Sequence, residues 1–304
     1  MKINRRGRYS WAWALGLVVT KVTAADAFWQ SPDAYLGEAR PSETPRAFAK
    51  ARLAEAGTFT MGRSGFSRDG REFYFTQNDS WKSGKNAKLR MMRFSGGAWS
   101  APTTIATEVV SPTLSLDERQ LFMRKGGMDN VWVAQRVGKG WSNPAQYLQV
   151  KQGLYDFTPT LGGRYYIGSA PEDADKKRGS TNVISVLTFD GETPRITSLG
   201  APLNGPGFNG DFFVAPDESY MVLSANVTAD FESEAFISFR GKDGSWTKPV
   251  SLGEQINNGP AHRWGYFVPA SGDYLFYSYG TSEADCELRW VRFAELRERL
   301  RPRS

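Results

Sequence analysis

Gly97-Ala-Trp-Ser-Ala-Pro102 is a phrase this chain nearly repeats, as GWSNP at 140–144 and as GSWTKP at 244–249. A recurrence at this spacing demands a search for a period near fifty, because a repeat architecture changes the whole fold reading. Five segments share one order: a turn carrying Asp or Gly, a short aromatic or aliphatic run, a loop, then an alternating run. They read GFSRDGREFYF with LRMMRF, TLSLDERQLFM with VWVAQR, TLGGRYYIG with VISVLTF, FVAPDESYMVL with AFISFR, and FVPASGDYLFY with LRWVRF. The repeats span approximately 60–107, 108–152, 153–204, 205–258 and 259–300.

Strand-sized runs of Phe, Tyr, Val and Ile, broken by Gly, Asp and Pro and free of helical period, are the pattern of four-stranded propeller blades. The fold class is therefore all-β, a five-bladed β-propeller, with six blades as the alternative. Repeat five lacks the closing Gly-Trp phrase, and the chain then turns into a short C-terminal helix, AELRERL at 294–300. Residues 43–49, Glu-Thr-Pro-Arg-Ala-Phe-Ala, resemble the Pro-led strands that follow each tryptophan. Joined to the last blade as its outer strand, this piece closes the ring and leaves no open edge. In this reading the Gly-Trp phrase is structural: Gly at a hairpin, Trp between blades, Pro where an edge strand spares its N–H.

FSRDGREFYF, APDESYMVL and GSWTKPVSLGEQIN together resemble the TolB-type, WD-like propeller repeats of bacterial exported proteins. The resemblance covers nearly all of the chain after its first residues. It implies a fold and very little chemistry, since propellers host many functions.

The start of the chain has the order of a secretory signal: basic MKINRRGR, apolar WAWALGLVV, small-residue VTAADA. Residues 1–24 are expected to be a signal peptide, 25–304 a single propeller domain, and the location periplasmic or secreted. No transmembrane segment is expected after cleavage. Loss of residues 1–24 removes five cations and no acid, lowering the formal charge from +6 to +1. Such a balance argues against nucleic acid as a partner. One cysteine, Cys286, cannot close an intramolecular disulfide, and one histidine, His262, cannot build an imidazole metal site. No cofactor and no metal are expected, and the chain is expected to be a monomer.

Propeller ligands approach the central channel, at the innermost strands. Aligning the repeats puts Met61, Val109, Asp156, Asn209 and Arg263 at one position, with Arg63, Ser111, Thr158, Asp211 and Gly265 two residues later. Period-two alternation would aim both sets the same way. The candidate catalytic residues are Asp156, Asp211 and His262. The candidate ligand-binding residues are Arg63, Tyr155, Asn209, Arg263 and Trp264, with the indole as a stacking face. Against this stands a structural reading, in which the acids accept strand N–H groups and Arg263 pairs with one of them. Ser67-Arg-Asp-Gly70 superficially resembles a sialidase Asp-box, but Asp-Gly is itself a strong hairpin signal. The basic loop 82–90 and the acidic run 230–234 read as solvated. The expected function is a binding or interaction module for a protein partner or glycan; the alternative is a glycoside hydrolase or polysaccharide lyase with carboxylates at the channel.

Overall fold

The apolar runs of the five repeats become strands, and the Gly- or Asp-bearing turn inside each repeat's opening run becomes the hairpin between its blade's first and second strands. The computed structural model describes residues 24–303 apart from 82, 128, 170–182, 206–208 and 227–231. Blade one comprises Phe59–Phe66, Glu72–Asn78 and Lys88–Ser95, with Ala98–Trp99 and Thr103–Thr107 as a broken outer strand. Blade two repeats this with Val109–Leu114, Gln120–Lys125, Asn130–Val137, then Gly140–Trp141 and Ala145–Gln149. Blade three holds Tyr155–Pro159, Tyr165–Ser169, Val183–Asp190 and Thr193–Ser198; blade four holds Asn209–Val214, Tyr220–Asn226, Ser233–Phe239 and Val250–Ser251. Blade five is His262–Phe267, Tyr274–Gly280 and Glu287–Arg292, completed by Arg46–Ala47. Pairing within each blade is antiparallel, and each innermost strand touches the next around the ring, blade five meeting blade one. The chain is a five-bladed β-propeller.

The closing strand is where the unassigned 43–49 piece was expected. Arg46 pairs with Trp290 and Ala47 with Arg289, and the ladder extends through Phe48 N to Leu288 O at 2.8 Å and Arg292 N to Ser42 O at 3.0 Å. The rest of the segment before blade one is neither a linker nor a sixth blade. Phe28, Trp29, Tyr35 and Phe48 are buried, forming an aromatic wedge between blades one and five. The Tyr35 ring lies 5.1 Å from Tyr274, and Phe48 lies 5.5 Å from Phe73 and 5.0 Å from Phe276. Each buried aromatic contributes on the order of 2–3 kcal/mol of transfer free energy, far more than two residues of ladder. The innermost strands of the same two blades meet backbone to backbone: a Cβ on Gly265, whose φ is +62°, would stand 2.3 Å from the carbonyl carbon of Gly62. The expected signal peptide lies outside the described residues apart from Ala24, which begins the helix Ala24–Gln30.

The recurring phrase has one job in all three of its blades. Ser100, Ser142 and Thr247 each donate their backbone N–H to a third-strand carbonyl at 2.9 Å. The hydroxyl of the same residue accepts that partner's N–H, from Arg93 at 3.1 Å, Gln135 at 3.0 Å and Phe239 at 3.0 Å. The side-chain oxygen thus stands in for a ladder carbonyl just where Pro interrupts the outer strand. Trp141 packs edge-on to Tyr74 of the preceding blade at 6.0 Å and Trp246 to Tyr166 at 6.3 Å, while Trp99 meets Phe28 of the wedge.

Two acids staple neighbouring blades. Glu218, 3% exposed, accepts from Thr160 (2.7 Å), Arg164 (2.8 and 2.6 Å) and Tyr166 (3.0 Å) of blade three and from Arg240 of its own blade. Glu72 plays the same part between Arg93 of blade one and Arg136 of blade two. Ser67-Arg-Asp-Gly70 is an ordinary turn, with Asp69 accepting from the Ser67 hydroxyl at 2.6 Å and Arg71 N at 3.0 Å.

Candidate functional site

The innermost strands are not regular, and that decides which side chains reach the channel. In blades two to five two residues oppose one in the first-to-second ladder, as between Tyr155 and Thr158 or Trp264 and Phe267. In blade one the slip is larger: residues 62–64 oppose Phe75 alone. A bulge bends its strand and breaks period-two alternation. Consecutive residues Leu154, Tyr155, Asp156 and Phe157 accordingly line one cavity, with Asp156 held at φ +53°.

That cavity, about 60 Å³, opens on the face where the innermost strands begin. It gathers Asp156, Asp211, Tyr155 and Trp264 from the expected set, adds Met61 and Ser111 from the aligned positions, and takes Arg124 from a second strand. The two carboxyls line the same small cavity and act on each other directly. Asp156 also accepts Phe212 N–H at 3.0 Å and pairs with Arg63 at 3.6 Å. Burial and then the Asp211 charge push the Asp156 carboxyl up, to about 7, against the pull of Arg63. Burial likewise raises Asp211, opposed by Arg124 and Arg63. Both carboxyls are thus pushed toward the protonated form, and they titrate as a pair. Burial lowers the Arg124 guanidinium, the nearby Asp156 and Asp211 charges oppose this, and its Nε has no hydrogen-bond partner among the described residues. Burial pushes the Tyr155 phenol well above its usual value, and its ring lies across Gly168, where a Cβ would come within 1.9 Å of Cζ.

Arg63 crosses the channel axis as a plug. It donates to Thr158 Oγ1 at 2.6 Å and to the carbonyls of Asp156 (3.4 Å) and Phe212, tying blade one to blades three and four. It also lines a wider funnel on the opposite face.

Two expected members stand elsewhere. Arg263 is absent from the cavity lining; it is 1% exposed and spends its guanidinium on backbone carbonyls, Ile256 at 2.8 Å, Ser233 at 2.9 Å, Ala261 at 3.1 Å, Gly259 at 3.2 Å and Asn258. It staples the loop between blades four and five rather than pairing with an acid. His262 stacks on Trp264 at 4.4 Å and faces Ser233 Oγ at 3.3 Å, behind the indole rather than in the cavity. The Asn209 side chain lies outside the described residues. Arg124, from the second strand of blade two, lies outside the expected set; its signal in the sequence was a lone arginine ending the apolar run LFMR. The loop 82–90 is likewise only partly solvated, since Arg90 donates to Glu55, Gln77 and the Pro102 carbonyl, each at 2.8 Å. Among the described residues no group of three His, Cys, Asp or Glu side chains gathers to hold a metal ion, and no helix is long and apolar enough to cross a membrane.

The class these features define is a five-bladed propeller whose channel is divided by an arginine into a small acidic cavity and a wide funnel. No family model and no curated protein matches the chain. Among solved structures it is similar to TolB from Acinetobacter baumannii, at 11% identity and a TM-score of 0.44, over 75% of this chain and 53% of that one. It is similar also to the periplasmic gluconolactonase PpgL of Pseudomonas aeruginosa, at 12% identity and a TM-score of 0.44, over 74% and 66%. The chain thus spans less than two thirds of either protein. The count of five blades stands on the strand pairing itself.

Proposed function

We propose that this chain is an exported propeller, periplasmic or secreted, that acts as a monomeric binding module and takes one polar group of a protein partner or glycan into the cavity at Asp156, Asp211 and Arg124. The cavity's size carries this reading. About 60 Å³ is a few waters' worth of space, against roughly 300–1,000 Å³ for pockets that enclose a whole ligand. A carboxyl pair pushed toward protonation offers both a donor and acceptors, and Arg124 adds a charged donor; a hydroxyl, amide or carboxylate tip fits that set. The TolB-type character of the repeats and the basic, apolar, small-residue order at the start support export. Cleavage near 24–27 would retain Phe28 and Trp29, which the wedge requires.

A glycosidase needs its two carboxyls roughly 5–9.5 Å apart. A cavity of about 60 Å³ is far below the size that encloses a sugar substrate between two carboxyls, which speaks against the hydrolase alternative at these residues. The test is a screen of glycan fragments and peptides for both binding and cleavage. Binding without turnover, weakened about tenfold or more by Arg124→Met in a protein with unchanged circular dichroism, is the expected result. Turnover abolished by Asp156→Asn and Asp211→Asn would replace the module reading with an enzyme. Binding unaffected by Arg124→Met would remove the cavity from either account.

A further inference from the structure

The funnel on the opposite face has a volume of about 610 Å³ and draws its wall from the first-to-second hairpins of the blades. That volume is of whole-ligand size, about ten times that of the acidic cavity. Its wall is apolar: Leu116, Leu161, Pro216 and Val268 come from four different blades, and Leu161 is 68% exposed at a hairpin tip. A concave, largely apolar surface of this size is the usual form of a small-molecule site.

Two adjacent polar residues line the same funnel from blade one's enlarged bulge. Arg63 is 4% and Ser64 1% exposed, and both Arg63 Nε and Ser64 Oγ lack a hydrogen-bond partner among the described residues. An orphaned buried donor costs about 1–3 kcal/mol, so two side by side in one bulge represent a standing demand for an acceptor. The lining acids do not answer it: Glu118 accepts Arg68 N–H, and Asp217 accepts the N–H and hydroxyl of Ser219 within its own turn. The funnel's remaining charged residues, Arg68, Arg297 and Arg301, give it a positive balance.

We propose that this funnel is a second ligand site, for an apolar monocarboxylate of small-molecule size. Its hydrocarbon body lies against the hairpin wall, and its carboxylate accepts from Arg63 Nε–H and Ser64 Oγ–H. The site opens on the face opposite the acidic cavity, with Arg63 standing between the two.

The probes are decanoate and the uncharged decanol, titrated calorimetrically into the full chain below their aggregation limits. Decanoate is expected to bind saturably at one site and decanol about tenfold or more weakly, since a charge-assisted hydrogen bond contributes about 1.5–3 kcal/mol. Arg63→Met would also break ties to blades three and four, so the informative variants are Ser64→Ala and Leu161→Asp. The Ser64 hydroxyl has no hydrogen-bond partner among the described residues, so Ser64→Ala should leave the urea midpoint unchanged while weakening decanoate severalfold. Leu161→Asp, at an exposed position, should weaken it further, and Arg124→Met in the opposite cavity should not alter it. Absence of saturable decanoate binding, equal binding of decanol, or a Ser64→Ala protein that binds as the parent does would each overturn the proposal.

Discussion

Replacing Glu218 by Gln keeps the shape of the side chain and removes the charge that holds blades three and four together. The carboxylate is 3% exposed and faces two guanidiniums, Arg164 and Arg240, which are 33% and 24% exposed. Breaking a fully buried ion pair costs about 3–5 kcal/mol. Because both arginines can turn partly to water, the loss expected here is about 2–3 kcal/mol, or about 5–10 °C in Tm for a domain of this size. Burial works against the charge, yet the hydrogen bonds from Arg164, Thr160 and Tyr166 outweigh it and hold the carboxyl below its ordinary 4.5. A group with a depressed value stabilises above its unfolded value and loses that contribution as pH falls through the folded one. The gap between parent and Glu218→Gln should therefore be full at pH 7 and close below about 4.5. Thermal unfolding followed by circular dichroism at pH 7 and at acid pH measures both. A Tm within about 1 °C of the parent at pH 7, or a gap that persists undiminished in acid, would refute the reasoning.

Gly265→Ala should destabilise by about 3 kcal/mol or more, read as a lowered urea midpoint, because its Cβ would collide with the Gly62 carbonyl at a φ that L residues avoid. Ser142→Ala should cost about 1 kcal/mol in the same assay by stripping Gln135 N–H of its acceptor, and an unchanged midpoint would deny the hydroxyl its ladder role. The Asp156 and Asp211 pair acts with the opposite sign from Glu218. The folded chain keeps a proton that the unfolded chain releases, so its contribution falls as pH rises from the ordinary 3.8 through about 7. Asp211→Asn should flatten that stretch of the stability profile, and an unaltered slope would place the proton elsewhere.

The fold was legible because blade strands are buried on both faces, so each strand announces itself as an apolar run between turn residues. The missing outer strand of the last repeat was legible for a complementary reason: an unpaired edge needs a partner, and 43–49 was an unassigned piece that resembles the Pro-led outer strands. The wedge of Phe28, Trp29 and Tyr35 was not, because aromatics in irregular chain carry no period. For the channel, sequence alignment assumed strict alternation, and bulges that set two or three residues against one defeat it. Asp156, Asp211 and Arg63 meet across the ring even so, while Arg263, one residue off the lining Trp264, turns into the blade and is consumed by carbonyls. Arg124 went unseen because only innermost strands were compared.

Arg46 and Trp290 are neighbours in space and 244 residues apart in the chain. The strand Arg46–Ala47 has no partner until Glu287–Arg292 is in place, so the ring closes only when these two distant strands meet. Until then both the wedge aromatics and the outer face of Glu287–Arg292 are unsatisfied, the kind of exposed surface on which multi-blade chains misassemble. A chain of this kind is most vulnerable in the interval before its two distant strands find each other.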